Sequence, residues 1–159
     1  YSWFGNIFDL SEYRGLDATA YLENVFSEDA GAIRWLDETI EGQPVVLEAN
    51  GDSYSDYERV SAMTGLPTVL GWYVHEWLWR GDPADLNVRA EDVKQMYTST
   101  DTNEVLRLLE QYHVTYIFVG SKEKEKYGDA LNELLLQSIG DIVYQDTASG
   151  TYILQVQDT

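Results

Sequence analysis

The chain has 159 residues, of which 44% are hydrophobic and 13% aromatic, a size and apolar content that predict one domain with a core of its own. With 28 acidic and 10 basic side chains the formal net charge is -18, which excludes a surface that attracts nucleic-acid phosphates or anionic lipid headgroups. The absence of cysteine excludes thiol catalysis, cysteine-based zinc sites and disulfides, and it leaves the cellular compartment open.

No apolar run approaches the roughly 18 residues that a membrane span needs, because a histidine and a glutamate interrupt the most apolar window, residues 66–79.

The chain begins with Tyr1-Ser2-Trp3-Phe4 and not with methionine or a basic segment, so we expect it to be part of a longer protein. Residues 1–26 lack a clean period and are predicted to form an irregular lead-in packed on the domain. Residues 27–159 are predicted to form a single α/β domain.

The first half of this domain has the pattern of a helix followed by a strand. Ser27 is predicted to cap a helix that ends before Gly42 and Pro44. Residues 45–49 form a short apolar, β-branched run that predicts a buried strand, ending at the turn Asn50-Gly51-Asp52. The apolar residues of the helix recur with helical spacing at Ala30, Ile33, Leu36 and Ile40.

Residues 53–81 are rich in aromatic side chains but contain three glycines and a proline, which break any long helix. We expect turns and ordered loops there, with a short strand at 68–70.

The second half of the chain alternates helices and strands. The pattern predicts a helix over 89–97, a helix over 101–112 with a capping box from Asp101 to Glu104, and a strand over 115–119. A charged loop over 122–128, a helix over 131–139 and a hairpin of strands 141–145 and 151–156 are predicted to follow.

This order of elements predicts a three-layer, Rossmann-like α/β domain. Its sheet is expected to be mixed and mainly parallel, with strands 45–49 and 115–119 paired in parallel. A short turn forces the last two strands to be antiparallel, and this C-terminal hairpin is expected at an edge of the sheet.

The string Gly51-Asp52-Ser53-Tyr54-Ser55 follows a predicted strand and looks like the first block of GDSL-type esterases, in which the serine is the nucleophile. Such a serine needs a histidine held by a carboxylate, which that family supplies from a late Asp-x-x-His. Neither His75 nor His113 is preceded by aspartate at that spacing. An autonomous esterase is therefore the least favoured function.

Four carboxylates, those of Glu48, Asp52, Asp56 and Glu58, are close enough in sequence to suggest a hard cation such as calcium. They lack the alternating spacing and fixed glycine of an EF-hand loop. On so acidic a chain this crowding is expected by chance, and we predict a solvated surface and no metal site.

The segment 71–81, with the sequence GWYVHEWLWRG, is the most informative of the chain. It carries three tryptophans together with His75, Glu76 and Arg80. Flat aromatic faces with a polar rim are typical of sites that bind sugar rings. The alternative is that large aromatic residues anchor a long loop to the sheet. We predict a mixture of the two, with Trp72 buried as an anchor and Trp79 at the site.

Two further features have structural interpretations. His113 follows a helix, where an imidazolium suits the negative end of the helix dipole, so it is predicted to have a capping role. The run 122–126 alternates lysine and glutamate and predicts a solvated loop, with docking of an acidic partner as the alternative.

The chain resembles the C-terminal region of the YYY family, large polytopic membrane proteins of bacteria and archaea. The resemblance covers roughly residues 14–156, and its most specific string is TGLPTVLGW followed by HEW and WRG. The matching segments are residues 30–36, 45–57, 59–75, 76–81, 89–98 and 112–120.

The resemblance implies that this domain follows a bundle of transmembrane helices, faces the extracytoplasmic side and belongs to proteins similar to GT-C, lipid-phosphate-dependent glycosyltransferases. In such enzymes the catalytic carboxylate lies near the first membrane helices, so no residue here inherits a catalytic role. No cofactor is implied. The implied partners are the transmembrane region of the same polypeptide and a lipid-linked sugar or glycan.

We therefore expect a non-catalytic extracytoplasmic domain of a glycosyltransferase-like membrane protein that contributes to glycan or acceptor recognition. The alternative is a structural or partner-docking domain without a ligand site. The candidate ligand-binding residues are Tyr54, Asp56, Arg59, Trp72, His75, Glu76, Trp79 and Arg80.

Overall fold

The computed structural model describes residues 22, 24–52, 55–80 and 83–157. None of the helices in these ranges has the length and apolar character that crossing a bilayer requires. In chain order the elements are α1 (Ala30–Thr39), β1 (Val45–Leu47), α2 (Arg59–Thr64), α3 (Tyr73–Arg80), α4 (Pro83–Thr98), α5 (Thr102–Gln111), β2 (Val114–Val119), α6 (Ser121–Tyr127), a 3-10 turn (Gly128–Ala130), α7 (Glu133–Ile139), β3 (Gly140–Gln145) and β4 (Tyr152–Val156).

The four strands form one mixed sheet in the order β1-β2-β4-β3. Strands β1 and β2 are parallel, while β4 is antiparallel to both β2 and β3. The predicted α/β class, the mixed sheet, the parallel pair and the terminal hairpin with β3 at an edge are therefore confirmed. One of the three strand pairings is parallel, so the sheet is mixed but not mainly parallel. A parallel pair requires a crossover connection, and the segment from α2 to α5 supplies it.

Helices cover both faces of the sheet because successive strand residues point to opposite sides. In β2, Ile117 and Val119 belong to one apolar cluster, and Phe118 between them belongs to the other. The first cluster contains buried residues of α4, α5 and α7, and the second contains those of α1 and α2. The result is the predicted three-layer arrangement.

The predicted helix ends are partly confirmed. Asp101 caps α5, since its side chain accepts hydrogen bonds from the backbone N–H groups of Asn103 and Glu104. The prediction that Ser27 caps the first helix was wrong, because the cap position of α1 is Asp29. The Asp29 carboxylate does not cap the helix. It is buried and binds other segments, as described below.

Two local predictions were wrong. The predicted loop 122–128 is largely the helix α6, and the predicted strand 68–70 is a single bridge between Val46 and Thr68. The glycines of residues 53–81 do break the chain, but they do so at helix ends, with α2 ending at Gly65 and α3 following Gly71. The helix predicted at 89–97 begins earlier, at Pro83, where proline suits the first turn.

The predicted lead-in at 1–26 lies almost wholly outside the residues that the structure describes. Leu22 and Phe26, which it does describe, are buried in the cluster beside α1 and α2.

Candidate functional site

An open cavity of about 610 Å³ lies between α2 and α3. Its volume falls within the roughly 300–1,000 Å³ that is usual for small-molecule sites. Five of its eight lining residues belong to the aromatic segment 71–81, which leads into α3 at Tyr73. The lining residues are Glu58, Ser61, Ala62, Gly71, Trp72, His75, Glu76 and Trp79.

The two tryptophans of the cavity have different roles. Trp72 is half-buried, and its Nε1 donates a hydrogen bond of 3.1 Å to the carbonyl of Tyr57. Its ring lies 5.3 Å from that of His75, at a tilt of 45°. Trp79 is 88% exposed, so its indole is free of the core. Trp72 is thus a less complete anchor than predicted, while Trp79 presents a flat face at the rim.

Glu76 completes the wall that α3 contributes. Its carboxylate lies directly against the backbone of Gly71, where a Cβ atom would come within 3.1 Å of Glu76 Oε1. A side chain at position 71 would displace this carboxylate by a few tenths of an ångström, so glycine suits the close approach. His75 and Glu76 are both half-buried and both line the cavity.

Glu58 lines the same cavity from the α2 side and was not among the predicted site residues. It is 3% exposed, and its backbone has the left-handed angles φ 56° and ψ 25° that a side chain of this size rarely adopts. Oε1 accepts a hydrogen bond of 2.7 Å from the N–H of Gly51. Burial raises the pKa of Glu58 to about 8, and the nearby Glu48 carboxylate adds to this.

Arg59, predicted at the site, has its guanidinium in the core directly beneath α2. Its Nε lies 2.7 Å from Asp29 Oδ2, its Nη2 lies 2.9 Å from Glu123 Oε2, and all three side chains are fully buried. The guanidinium also stacks over the ring of Phe118, at 5.1 Å from the centroid. Arg59 therefore positions α2 against α1 and α6 and does not line the cavity.

The two carboxylates that bind Arg59 are held by further donors. Asp29 also accepts hydrogen bonds from Ser121 and Thr151, and Glu123 accepts from the backbone N–H groups of Ala49 and Gly120. Burial opposes ionisation of Asp29, but Arg59 and these hydrogen bonds outweigh it and hold its pKa below the usual value. We call Asp29, Arg59 and Glu123 the buried triad.

Glu48 joins β1 to α2. Its two carboxylate oxygens accept hydrogen bonds from the N–H groups of Val60 and Ser61, at 2.9 and 2.8 Å. The N–H groups in the first turn of a helix have no partner within the helix, so the Glu48 side chain, directly after β1, caps α2. Burial raises the pKa of Glu48 to about 7 despite these hydrogen bonds. The predicted solvated surface was therefore wrong for Glu48 and Glu58, and correct for exposed Asp52 and Asp56.

Of the remaining predicted site residues the structure describes Asp56, which does not line the cavity. Asp56 lies in a separate depression, with its carboxylate 3.8 Å from Lys122 Nζ. Tyr54, the esterase-like Ser53 and the side chain of Arg80 are outside the part of the chain that the structure describes. Within that part, no group of three or more potential ligands is arranged to hold a metal ion.

An apolar ridge flanks the cavity on α3. We use this name for Trp77, Leu78 and Trp79, which are 45%, 70% and 88% exposed. Successive residues of a helix point in directions about 100° apart, so exposure of all three means that this end of α3 projects from the domain. Exposed apolar patches of this kind mark surfaces that contact other molecules.

The different burial of the tryptophans predicts different costs of truncation. Trp72→Ala is expected to lower the free energy of unfolding by about 2–4 kcal/mol, because a half-buried ring and its hydrogen bond to Tyr57 are lost. Trp79→Ala is expected to change it by less than about 0.5 kcal/mol. Urea unfolding of both variants measures this. Equal costs at the two positions would contradict the assigned roles.

Comparison with known proteins gives one informative result. No protein-family model matches the chain, and no curated protein matches it significantly. Among solved structures it is similar to the C-terminal globular domain of an oligosaccharyltransferase from Archaeoglobus fulgidus. The two domains share a fold. The TM-score is 0.50 at 12% sequence identity, over 82% of this chain and 97% of the other.

Proposed function

We propose that this chain is the non-catalytic extracytoplasmic domain of a polytopic membrane protein of the YYY family, similar to GT-C glycosyltransferases, and that it contributes to glycan recognition. The observation that carries the proposal is the cavity between α2 and α3, where the face of Trp79 lies beside the polar groups of His75 and Glu76. The shared fold with the globular domain of an oligosaccharyltransferase supports it. The proposed partners are the transmembrane region of the same polypeptide and a lipid-linked sugar or glycan.

The charges of the cavity favour the sugar part of such a ligand. Glu58 and Glu76 line it, and no lysine or arginine is among its described lining residues. Among these described residues a diphosphate group would meet carboxylates and no cation, on a chain whose net charge is already -18. An uncharged saccharide fits better, because its hydroxyl groups pair with carboxylates and its ring faces stack on indole.

Binding of simple saccharides to the purified chain tests this proposal. The probes are the methyl glycosides of glucose, mannose, galactose and N-acetylglucosamine, followed by NMR and by tryptophan fluorescence. We expect at least one to bind, and Trp79→Ala to weaken its binding by about tenfold, since the stacking face is removed. Leu134→Ala is the matched control, because Leu134 is 85% exposed on α7 and is not part of the cavity.

Failure of all four glycosides to bind would contradict glycan recognition by this cavity. The absence of a catalytic role is tested on the same sample with activated aryl glycosides and aryl esters. Turnover of an aryl ester that Ser53→Ala abolishes would establish the esterase alternative, and turnover of an aryl glycoside would contradict a non-catalytic domain.

A docking role is the second candidate, and the apolar ridge favours it. Trp77 and Leu78 are exposed but are not among the residues of the cavity, so glycan binding leaves them unexplained. A partner surface that covers them, such as the transmembrane region of the same polypeptide, accounts for their exposure. Docking through Trp77 and Leu78 and glycan binding beside His75 and Glu76 use different residues of α3.

A further inference from the structure

Among the described residues that line the cavity, Glu58 has a polar atom without a hydrogen-bond partner. Glu58 Oε2 is fully buried and accepts or donates no hydrogen bond within the described structure, whereas Oε1 is bound to the N–H of Gly51. Buried polar groups are almost always paired, so an unpaired oxygen on a residue that lines an open cavity points to a ligand group as its partner. The left-handed backbone at Glu58 is a second sign, since such conformations concentrate at functional sites.

We propose that Glu58 is the polar anchor of the cavity and that it holds an uncharged saccharide by donating a hydrogen bond from a neutral carboxylic acid to a sugar oxygen. This inference rests on the proposed function and assigns its ligand-selecting residue. The geometry decides which oxygen acts: Oε1 already accepts from Gly51, so Oε2 carries the proton and is the donor.

The surroundings of Glu58 keep the acid neutral. Burial raises its pKa to about 8, so most of it is protonated at neutral pH. The Glu48 carboxylate raises the pKa further, while the N–H of Gly51 and the cations of Lys126 and Arg59 lower it. The titratable and charged groups that surround it from the packed elements are Glu48 after β1, Arg59 on α2, His75 and Glu76 on α3, and Lys126 on α6.

A neutral anchor discriminates between classes of ligand by pH. Because the proposed contact is made by the O–H donor of Glu58, binding of an uncharged saccharide through it must weaken when Glu58 ionises. A cationic ligand would instead be attracted by the ionised carboxylate and by the aromatic faces of Trp72 and Trp79, so its binding must strengthen. The sign of the pH dependence therefore separates these two alternatives.

The experiment measures the dissociation constant of the tightest-binding methyl glycoside at about pH 6 and about pH 9. For the wild-type chain we expect binding about tenfold weaker at pH 9, because one pH unit above a pKa of about 8 leaves about a tenth of Glu58 protonated. Glu58→Gln keeps a donor that does not ionise, so its affinity is expected to stay constant. Glu58→Leu is expected to bind about tenfold more weakly at pH 6.

Glu48→Gln is the control, since Glu48 is equally buried but does not line the cavity, and its affinity at pH 6 is expected to match wild type. Circular dichroism at both pH values shows that each variant is folded. Unchanged affinity in Glu58→Leu, the same pH loss in Glu58→Gln, or tighter binding of tetramethylammonium than of any glycoside at pH 9 would overturn the inference while leaving a ligand site in the cavity. If no glycoside binds wild type, the proposed function itself fails.

Discussion

Arg59→Met is expected to lower the free energy of unfolding by about 3–5 kcal/mol, the usual cost of removing one partner of a buried ion pair. The guanidinium is the cation of the buried triad, and it binds Asp29 at 2.7 Å and Glu123 at 2.9 Å with all three side chains inaccessible to solvent. Methionine keeps most of the apolar stem but leaves two carboxylates in the core without their cation. The cost comes from those uncompensated charges and not from lost volume.

Urea unfolding at neutral pH measures this effect. Arg107→Met is the matched control, because Arg107 pairs with Glu104 at 2.7 Å on the surface, where the ion pair is open to water. We expect the control to unfold close to wild type. A small cost at Arg59, comparable with that at Arg107, would mean that the buried triad does not hold the fold together.

Stability is expected to fall by several kcal/mol as the pH rises from about 5 to about 9. Burial raises the pKa of Glu48 to about 7 and that of Glu58 to about 8, from an ordinary value of 4.5. In this interval the folded chain binds more protons at these two sites than the unfolded chain does, so raising the pH favours unfolding. Each pKa unit of difference corresponds to about 1.4 kcal/mol.

At low pH the pH dependence of stability has the opposite sign, because Asp29 is the group that titrates there. Its pKa is held below the ordinary value of 3.8, so the stability that it contributes is present above that value and is lost as the pH falls further. The maximum of stability is therefore expected between about pH 4 and 5. The high negative charge of the chain acts in the same direction, since repulsion among its carboxylates grows as they ionise.

Thermal unfolding from pH 3 to 9 tests this expectation, with Glu48→Gln and Glu58→Gln as the informative variants. Each substitution removes one titrating acid, so each should flatten the decline above pH 5, and the double variant should flatten it most. A decline of equal slope in the double variant would assign the pH dependence to surface charge alone.

The sheet and the main helices were predictable because their signals are local. The strand at 115–119 is a run of β-branched and aromatic residues, and the helix at 101–112 has both an apolar period and a side-chain cap at Asp101. The parallel pairing then followed from the α/β order, which allows few topologies.

The elements that sequence reasoning missed depend on distant contacts. Helix α2 is only six residues long and gains its cap from Glu48, eleven positions before its first residue. Helix α6 consists of alternating charges, yet its Glu123 is fully buried because Arg59 lies against it. No local pattern distinguishes such a glutamate from its solvated neighbours.

The candidate site also combines residues with a local sequence signal and residues placed by distant contacts. Trp72, His75, Glu76 and Trp79 were predicted as a group because they are close in sequence and chemically unusual, and all four line the cavity. Glu58 was seen only as one of several acidic residues, since neither its burial nor its left-handed backbone leaves a mark in the sequence. Arg59, singled out as a ligand-binding residue, turned out to be the neighbour that fixes Glu58 in place.

The buried triad also determines how the cavity meets a ligand. Arg59 joins segments that are 30 and 64 positions away along the chain, so α2 cannot swing outwards without exposing three charges from an apolar interior. The wall that carries Glu58 thus opens only when the molecule unfolds as a unit. A ligand therefore finds the cavity already shaped and loses little affinity to ordering it, but the wall cannot adapt to a molecule of the wrong size.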